Sequence, residues 1–211
     1  MKKILPAILA STIEEFSQKL SVLSSFSKEI QIDITDGTFV NSKTVELVEI
    51  KELPKDIEFE LHLMVSDPLE YMSHIKRLGI KRVVFHNEID KSTMEVVDAL
   101  KKEGITVVLA LNPHSDIPTL KDYVPHVDGL LLMSVAPGFG GQELIPSVLE
   151  KAKILRSRYP EILIEMDGGI KKENLVKVYE AGVNIAVIGS GILKVADPKK
   201  EWEEFQKISN T

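Results

Sequence analysis

Asp33 and Asp167 are the groups in this chain best placed to move protons, because each stands at the end of a short apolar run with glycine close behind it. One carboxylate that removes a proton beside a carbonyl, and a second that returns a proton to the opposite face, would invert a carbon centre through an enediolate. A carboxylate is a weak base for a carbon acid. The enediolate oxygen therefore needs a metal, a cationic group or preorganised donors. His62, which ends another apolar run, would supply part of a first-row metal site beside the two acids.

Three glycine clusters give a second chemical signal. Pro137-Gly138-Phe139-Gly140-Gly141-Gln142 follows the run Val127 to Val135, Asp167-Gly168-Gly169 follows Ile162 to Met166, and Gly189-Ser190-Gly191 follows Ile185 to Ile188. Glycine lets backbone amides approach an anion without side-chain interference, so the clusters read as one oxyanion or phosphate cradle. Any one of them alone would pass as an ordinary turn.

The elements that must hold these groups are legible as an alternation. Apolar runs rich in Ile, Val and Leu recur near residues 4–9, 29–34, 57–63, 81–86, 105–111, 127–135, 161–166 and 184–189. They are too continuous for half-exposed strands and suit a parallel sheet covered on its outer face. Amphipathic stretches lie between them. The pattern predicts helices over Ile13–Leu23 behind a Ser11 or Thr12 cap, and over Pro68–Leu78, Met94–Lys102, Ile145–Tyr159 with Pro146 in its first turn, Lys172–Ala181 and Pro198–Ile208. Eight strand–helix units, with strand starts roughly 22 to 28 residues apart except around the Pro137–Gln142 loop, predict a single (β/α)8 barrel over residues 1–211. A doubly wound open sheet is the alternative. In a parallel barrel the chemistry comes from the C-terminal strand ends, which here carry Asp33, Asp36, His62, His86, Asn112, Met133, Ser134, Asp167 and Ser190. Met72, Met94, His74, His114 and His126 receive only packing or loop assignments.

Composition excludes several classes. With 211 residues and 44% hydrophobic content the chain can build one large core. A net charge of -6 with interspersed lysines argues against a nucleic-acid surface. The absence of cysteine removes disulfides, thiol nucleophiles and thiolate metal sites. The N-terminal apolar stretch is short and broken by Pro6, so neither a signal peptide nor a membrane segment is expected, and the expected compartment is the cytoplasm.

On these residues the chain resembles the ribulose-phosphate 3-epimerase family over nearly its whole length. The matching segments are Asp33 to Val40, Leu61-His62-Leu63-Met64-Val65, Phe85-His86-Asn87-Glu88, Ala110 to Pro113, Asp167-Gly168-Gly169, Gly189-Ser190 and the specific string Met133-Ser134-Val135-Ala136-Pro137-Gly138-Phe139-Gly140-Gly141-Gln142. The resemblance implies interconversion of D-ribulose 5-phosphate and D-xylulose 5-phosphate, with zinc, iron or manganese as cofactor. It also implies a small phosphosugar as the partner and a homo-oligomeric assembly. Carried over, it makes Asp33 and Asp167 catalytic. It makes Asp33, His62 and Asp167 metal ligands and puts Gln31 at the place of the family's fourth ligand, and assigns substrate contacts to Met64, Met133, Gly138, Phe139, Gly140, Gly141, Gly168, Gly169, Gly189 and Ser190.

The chain departs from the family near the chemistry. The family's His-x-Asp is Gln31-Ile32-Asp33, its Ser-Ile-Leu-Ser is Ala7-Ile8-Leu9-Ala10, a pocket methionine is Thr35, and the Pro-Asn of many members is Asn41-Ser42. A glutamine oxygen suits harder ions than an imidazole nitrogen, so weaker zinc binding is expected. These departures leave two further readings open: an epimerase of another ketose phosphate, or a phosphosugar-binding protein with impaired catalysis.

Overall fold

Period-two alternation along the strands sorts the apolar side chains into two cores. The computed structural model describes residues 2–210. Its eight parallel strands are β1 (Lys3–Leu9), β2 (Glu29–Thr35), β3 (Glu58–Met64), β4 (Arg82–His86), β5 (Thr106–Leu111), β6 (Gly129–Met133), β7 (Leu163–Asp167) and β8 (Ile185–Ile188). They close in chain order into one barrel. Leu5, Ala7, Val84, Val108, Ala110, Leu131, Met133, Ile185 and Val187 pack together in the barrel interior. Alternate residues such as Ile32, Leu61, Val83, Leu109 and Ile164 belong to the outer core beneath the helices. The continuous apolar runs thus arise because both strand faces are covered, and the open sheet is excluded.

Among the described residues seven α-helices accompany the strands: α1 (Ile13–Ser24), α2 (Met72–Leu78), α3 (Thr93–Lys102), α4 (Ser147–Arg158), α5 (Lys172–Glu180), α6 (Ser190–Leu193) and α7 (Pro198–Ser209). Thr12 caps α1 by accepting the Glu15 N–H at 3.2 Å, while Glu15 accepts the Ser11 N–H at 2.7 Å. Eight complete strand–helix units are not present. Among the described residues no α-helix follows β2 or β5. After β2, buried Val45, Leu47 and Ile50 fill the outer layer, and Arg77 of α2 donates to the carbonyls of Leu47, Ile50 and Lys51. That side chain satisfies backbone oxygens a helix would have paired internally. After β5, where Pro113 and Pro125 interrupt the chain, the segment forms two short 3-10 turns, Ile117–Leu120 and Val124–His126.

Several boundaries also shift. The helix expected from Ile145 begins at Ser147 with Pro146 as its N-cap, and the Ile145 N–H donates to the Ser134 carbonyl at 2.8 Å. The sixth strand ends at Met133, and the Ser134 N–H makes the last bond of its ladder to β7, to the Asp167 carbonyl at 2.7 Å. The segment from Pro68 opens as a 3-10 turn, Pro68–Tyr71, before α2.

Three charged groups occupy the barrel interior toward the strand starts, where Arg82 of β4 bridges Glu60 of β3 and Glu165 of β7. Burial, then repulsion from Glu60, pushes Glu165 from 4.5 up to about 8, although Arg82 opposes the shift. The folded state therefore holds a proton that the unfolded chain releases between these values. Its stabilisation is complete below pH 4.5 and is lost as pH rises through about 8. Glu165→Gln is expected to flatten the fall in urea midpoint across that window; an unchanged slope would show that another group sets it.

Candidate active site

At the opposite end of the interior, the β2 and β3 register aligns Asp33 with His62, and β6 aligns Met133 with Asp167. Gln31 lies two residues before Asp33 on the same face of β2, and its side chain reaches up to the acids. Its Nε2 donates to Asp33 Oδ1 at 2.7 Å and to Asp167 Oδ2 at 3.0 Å. His62 Nδ1 lies 3.3 Å from Asp33 Oδ1 and 3.5 Å from Asp167 Oδ2. Two acids far apart in the chain therefore meet over one amide and one imidazole, through oxygens that leave Asp33 Oδ2 and Asp167 Oδ1 outside the clasp.

The electrostatics follow from burial. Desolvation, and then the charge of Asp167, raises the Asp33 carboxyl above its ordinary range despite hydrogen bonds from His62 and Gln31. Burial alone would lower His62, but hydrogen bonds to Asp167 and Asp33 and the charges of both acids lift it to about 10. Without a cation, an imidazolium therefore balances one of the two carboxylates.

The donor atoms of Asp33, His62 and Asp167 all lie within 4.8 Å of one another. Metal–ligand bonds of about 2.1 Å place tetrahedral donors roughly 3.4 Å apart, close to the two imidazole–carboxylate distances observed. Gln31 Nε2, 3.4 Å from His62 Nδ1, occupies the fourth corner with its two hydrogens given to Asp33 and Asp167. Gln31 Oε1 is buried without a partner. Turning the amide over would present that oxygen to a cation, so the residues fit a divalent ion through one imidazole and three oxygens.

Above this corner opens a cavity of about 230 Å3. Asp33, Met64, Met133, Gly138, Phe139, Gly140, Gly141, Asp167, Gly168, Gly169, Gly189 and Ser190 line it, whereas Gln31 and His62 stand behind the lining. Gln142 Nε2 ties the glycine-rich loop by donating to the Ala136 and Phe139 carbonyls at 2.6 and 2.8 Å. Gly169 has φ 63°, and a Cβ there would sit 2.2 Å from the Leu144 nitrogen. Only glycine lets the β7 exit pass this close to the segment before α4. Among the described residues, the backbone N–H groups of Gly140, Gly141 and Gly169 have no hydrogen-bond acceptor within the chain.

Other strand-end groups are distributed differently. Asp36 does not line this cavity; its carboxylate accepts the N–H groups of Thr38, Phe39 and Ser66 and holds the loop after β2. Ser134 is fully buried and braces β7 by donating to the Asp167 and Gly168 carbonyls. His86 stacks behind His62, and the Asn112 N–H donates to Glu88. Thr35 lies outside the cavity lining and its Oγ1 accepts from Ser42, while Ala7 does line the cavity and Ala10 does not. Two further lining residues, Lys171 and Lys194, escape sequence reasoning. Their only signal is a lysine placed two or three residues beyond a glycine cluster. A larger cavity of about 720 Å3 at the Arg82 end contains none of the aspartate or imidazole groups of this corner.

The sequence pattern of the ribulose-phosphate 3 epimerase family matches residues 3–193. The chain belongs to this family. It is 32% identical over 214 residues to the ribulose-phosphate 3-epimerase of Bacillus subtilis, with 98% of this chain and 99% of that protein covered. Against the ribulose-phosphate 3-epimerase of Mycobacterium leprae the identity is 33% over 201 residues, covering 92% and 89% respectively. The 3-hexulose-6-phosphate synthase of Salmonella typhimurium superposes with a TM-score of 0.72 at 18% identity, covering 99% of this chain and 98% of that one. That likeness extends to the fold alone. Membership in the epimerase family makes this chain an isomerase, and no described helix is long and apolar enough to cross a membrane.

Proposed function

We propose that the protein inverts carbon 3 of a ketopentose phosphate, interconverting D-ribulose 5-phosphate and D-xylulose 5-phosphate. The observation that carries this reading is the meeting of Asp33 and Asp167, from β2 and β7, at the floor of a cavity whose wall holds unpaired backbone amides. The two acids approach from different strands and can address opposite faces of one carbon. One removes the proton beside the ketone and the other delivers a proton to the far face. Met64 and Met133 flank the reacting carbons. The amides of Gly140, Gly141 and Gly169, with Lys171 and Lys194 nearby, hold the phosphate at the other end.

A divalent cation held by Asp33, His62 and Asp167, with Gln31 Oε1 after its amide turns over, would supply positive charge for the enediolate oxygen. Three oxygens among four donors narrow the advantage of zinc over manganese and magnesium relative to a site with two imidazoles. Gln31→His is accordingly expected to raise zinc affinity by about an order of magnitude or more and to raise zinc-supported turnover. Chelator-competition titration measures the first effect, and no gain in either would mean that the corner is built around the amide.

The direct test is exchange of the carbon 3 hydrogen. D-ribulose 5-phosphate mixed with the protein in deuterated water, with manganese, magnesium, zinc or iron supplied in turn, should acquire deuterium at that position. No exchange under any of these conditions would overturn the reading. Retention of both acids disfavours the phosphosugar-binding alternative. Ala7 in the lining is the feature that bears on substrate choice, and a panel of ketopentose and ketohexose phosphates compares the candidates.

A further inference from the structure

We propose that His86 and Glu88 are positioning residues, forming a directed hydrogen-bond relay that keeps the Nδ1 lone pair of His62 aimed at the two aspartates. The proposal rests on the reading of Asp33, His62 and Asp167 as a cation corner. Neither His86 nor Glu88 lines the cavity above the acids, so neither is placed to touch substrate. The relay runs around the barrel from β3 through β4 to the start of the loop after β5.

His62 Nε2 faces His86 Nε2 at 3.0 Å, with the two fully buried rings nearly parallel at 12°. A single proton must lie between these nitrogens, and either ring could in principle supply it. On the far side, His86 Nδ1 lies 3.4 Å from Glu88 Oε2. Neither atom completes a hydrogen bond among the described residues, so a proton carried on one of them has only this contact to face. The second oxygen of the carboxylate, Glu88 Oε1, accepts the Asn112 N–H at 2.8 Å and the Ser115 hydroxyl.

The direction of the relay follows from these contacts. An ionised carboxylate only accepts, so His86 must carry its proton on Nδ1 to avoid two buried acceptors facing each other. A neutral His86 then has a lone pair on Nε2, and the shared proton belongs to His62 Nε2. His62 is left with Nδ1 as its only possible lone pair, directed at Asp33 and Asp167. A cation would then replace one proton at Nδ1, with no rearrangement of either ring. If His86 were the donor, His62 Nδ1 would carry a hydrogen when neutral and could bind no cation. The Phe39 ring, 4.9 Å from that of His86, covers the relay from the loop after β2.

Zinc affinity measured by chelator competition tests the relay without recourse to turnover. Glu88→Gln replaces one acceptor oxygen with a donor, and no amide orientation satisfies both His86 Nδ1–H and the Asn112 N–H. It should weaken zinc binding about 10- to 100-fold. His86→Leu should lose a similar factor, and His86→Gln, whose carbonyl can accept the His62 Nε2–H, should recover most of it. Asp167→Asn separates the two failures: if it also leaves affinity unchanged, the cation corner is wrong. If Asp167→Asn weakens binding and Glu88→Gln does not, the relay alone is wrong. Should the variants fail to fold, nitrogen NMR of the unsubstituted protein still decides, because a proton found on His86 Nε2 rather than Nδ1 would overturn the proposal.

Discussion

Asp33→Asn and Asp167→Asn should each lower epimerisation by about 10^3-fold, within the range attributed to a positioned general acid or base. Asparagine keeps the shape of the side chain and removes its basicity. Each variant should fail toward a different epimer, since each acid addresses its own face of carbon 3. Deuterium exchange begun separately from D-ribulose 5-phosphate and D-xylulose 5-phosphate resolves this asymmetry, at cation concentrations high enough to offset the lost donor. The phosphate contacts assigned to backbone amides are untouched, so KM should change far less than kcat. Either variant retaining epimerisation within tenfold of the parent would remove the two-sided mechanism. Equal loss of exchange from both epimers would instead make the substituted acid a cation ligand without a face of its own.

Arg82→Met should be the most destabilising single change at the far end of the barrel, costing about 3–5 kcal/mol. It removes the guanidinium that bridges Glu60 and Glu165, whose side chains are only 2% and 0% exposed. Glu60 Oε1 and Glu165 Oε2 already lack partners. Two buried carboxyls would then face each other with nothing to balance them. Burial already raises both above the ordinary carboxylate range, so the penalty should grow as pH rises and ionisation is forced. Urea unfolding at pH 5 and pH 8 measures the difference. Adding Glu60→Met and Glu165→Leu should recover most of the loss, because an apolar set of similar volume leaves no charge unpaired. A cost below about 1 kcal/mol for Arg82→Met at pH 8, a magnitude ordinary for a surface ion pair, would mean that water reaches the cluster.

The strands were legible in the sequence because both of their faces are buried. Runs such as Val107 to Leu111 are apolar throughout, and no helix or half-exposed strand of that length needs to be. Helices were legible where one face is apolar and a cap is available, as at Thr12 before α1. The segments after β2 and β5 were not. Their outer layer is completed by Arg77 bonding distant carbonyls in one case and by proline-broken turns in the other. Neither arrangement has a period.

For the site, residue types at strand ends sufficed to single out Asp33, His62, Asp167 and the glycine-lined wall, because barrel closure carries every strand end to one mouth. By itself the sequence determined which chemically capable groups the mouth could contain. Only the tertiary structure decided their partners: Gln31 clasping both acids, Ser134 acting as a brace, and His86 and Glu88 standing behind His62. The physical reason is that hydrogen bonds depend on direction at distances near 3 Å. Linear order specifies which face of a strand a side chain occupies, but not which atom of a neighbouring strand it meets.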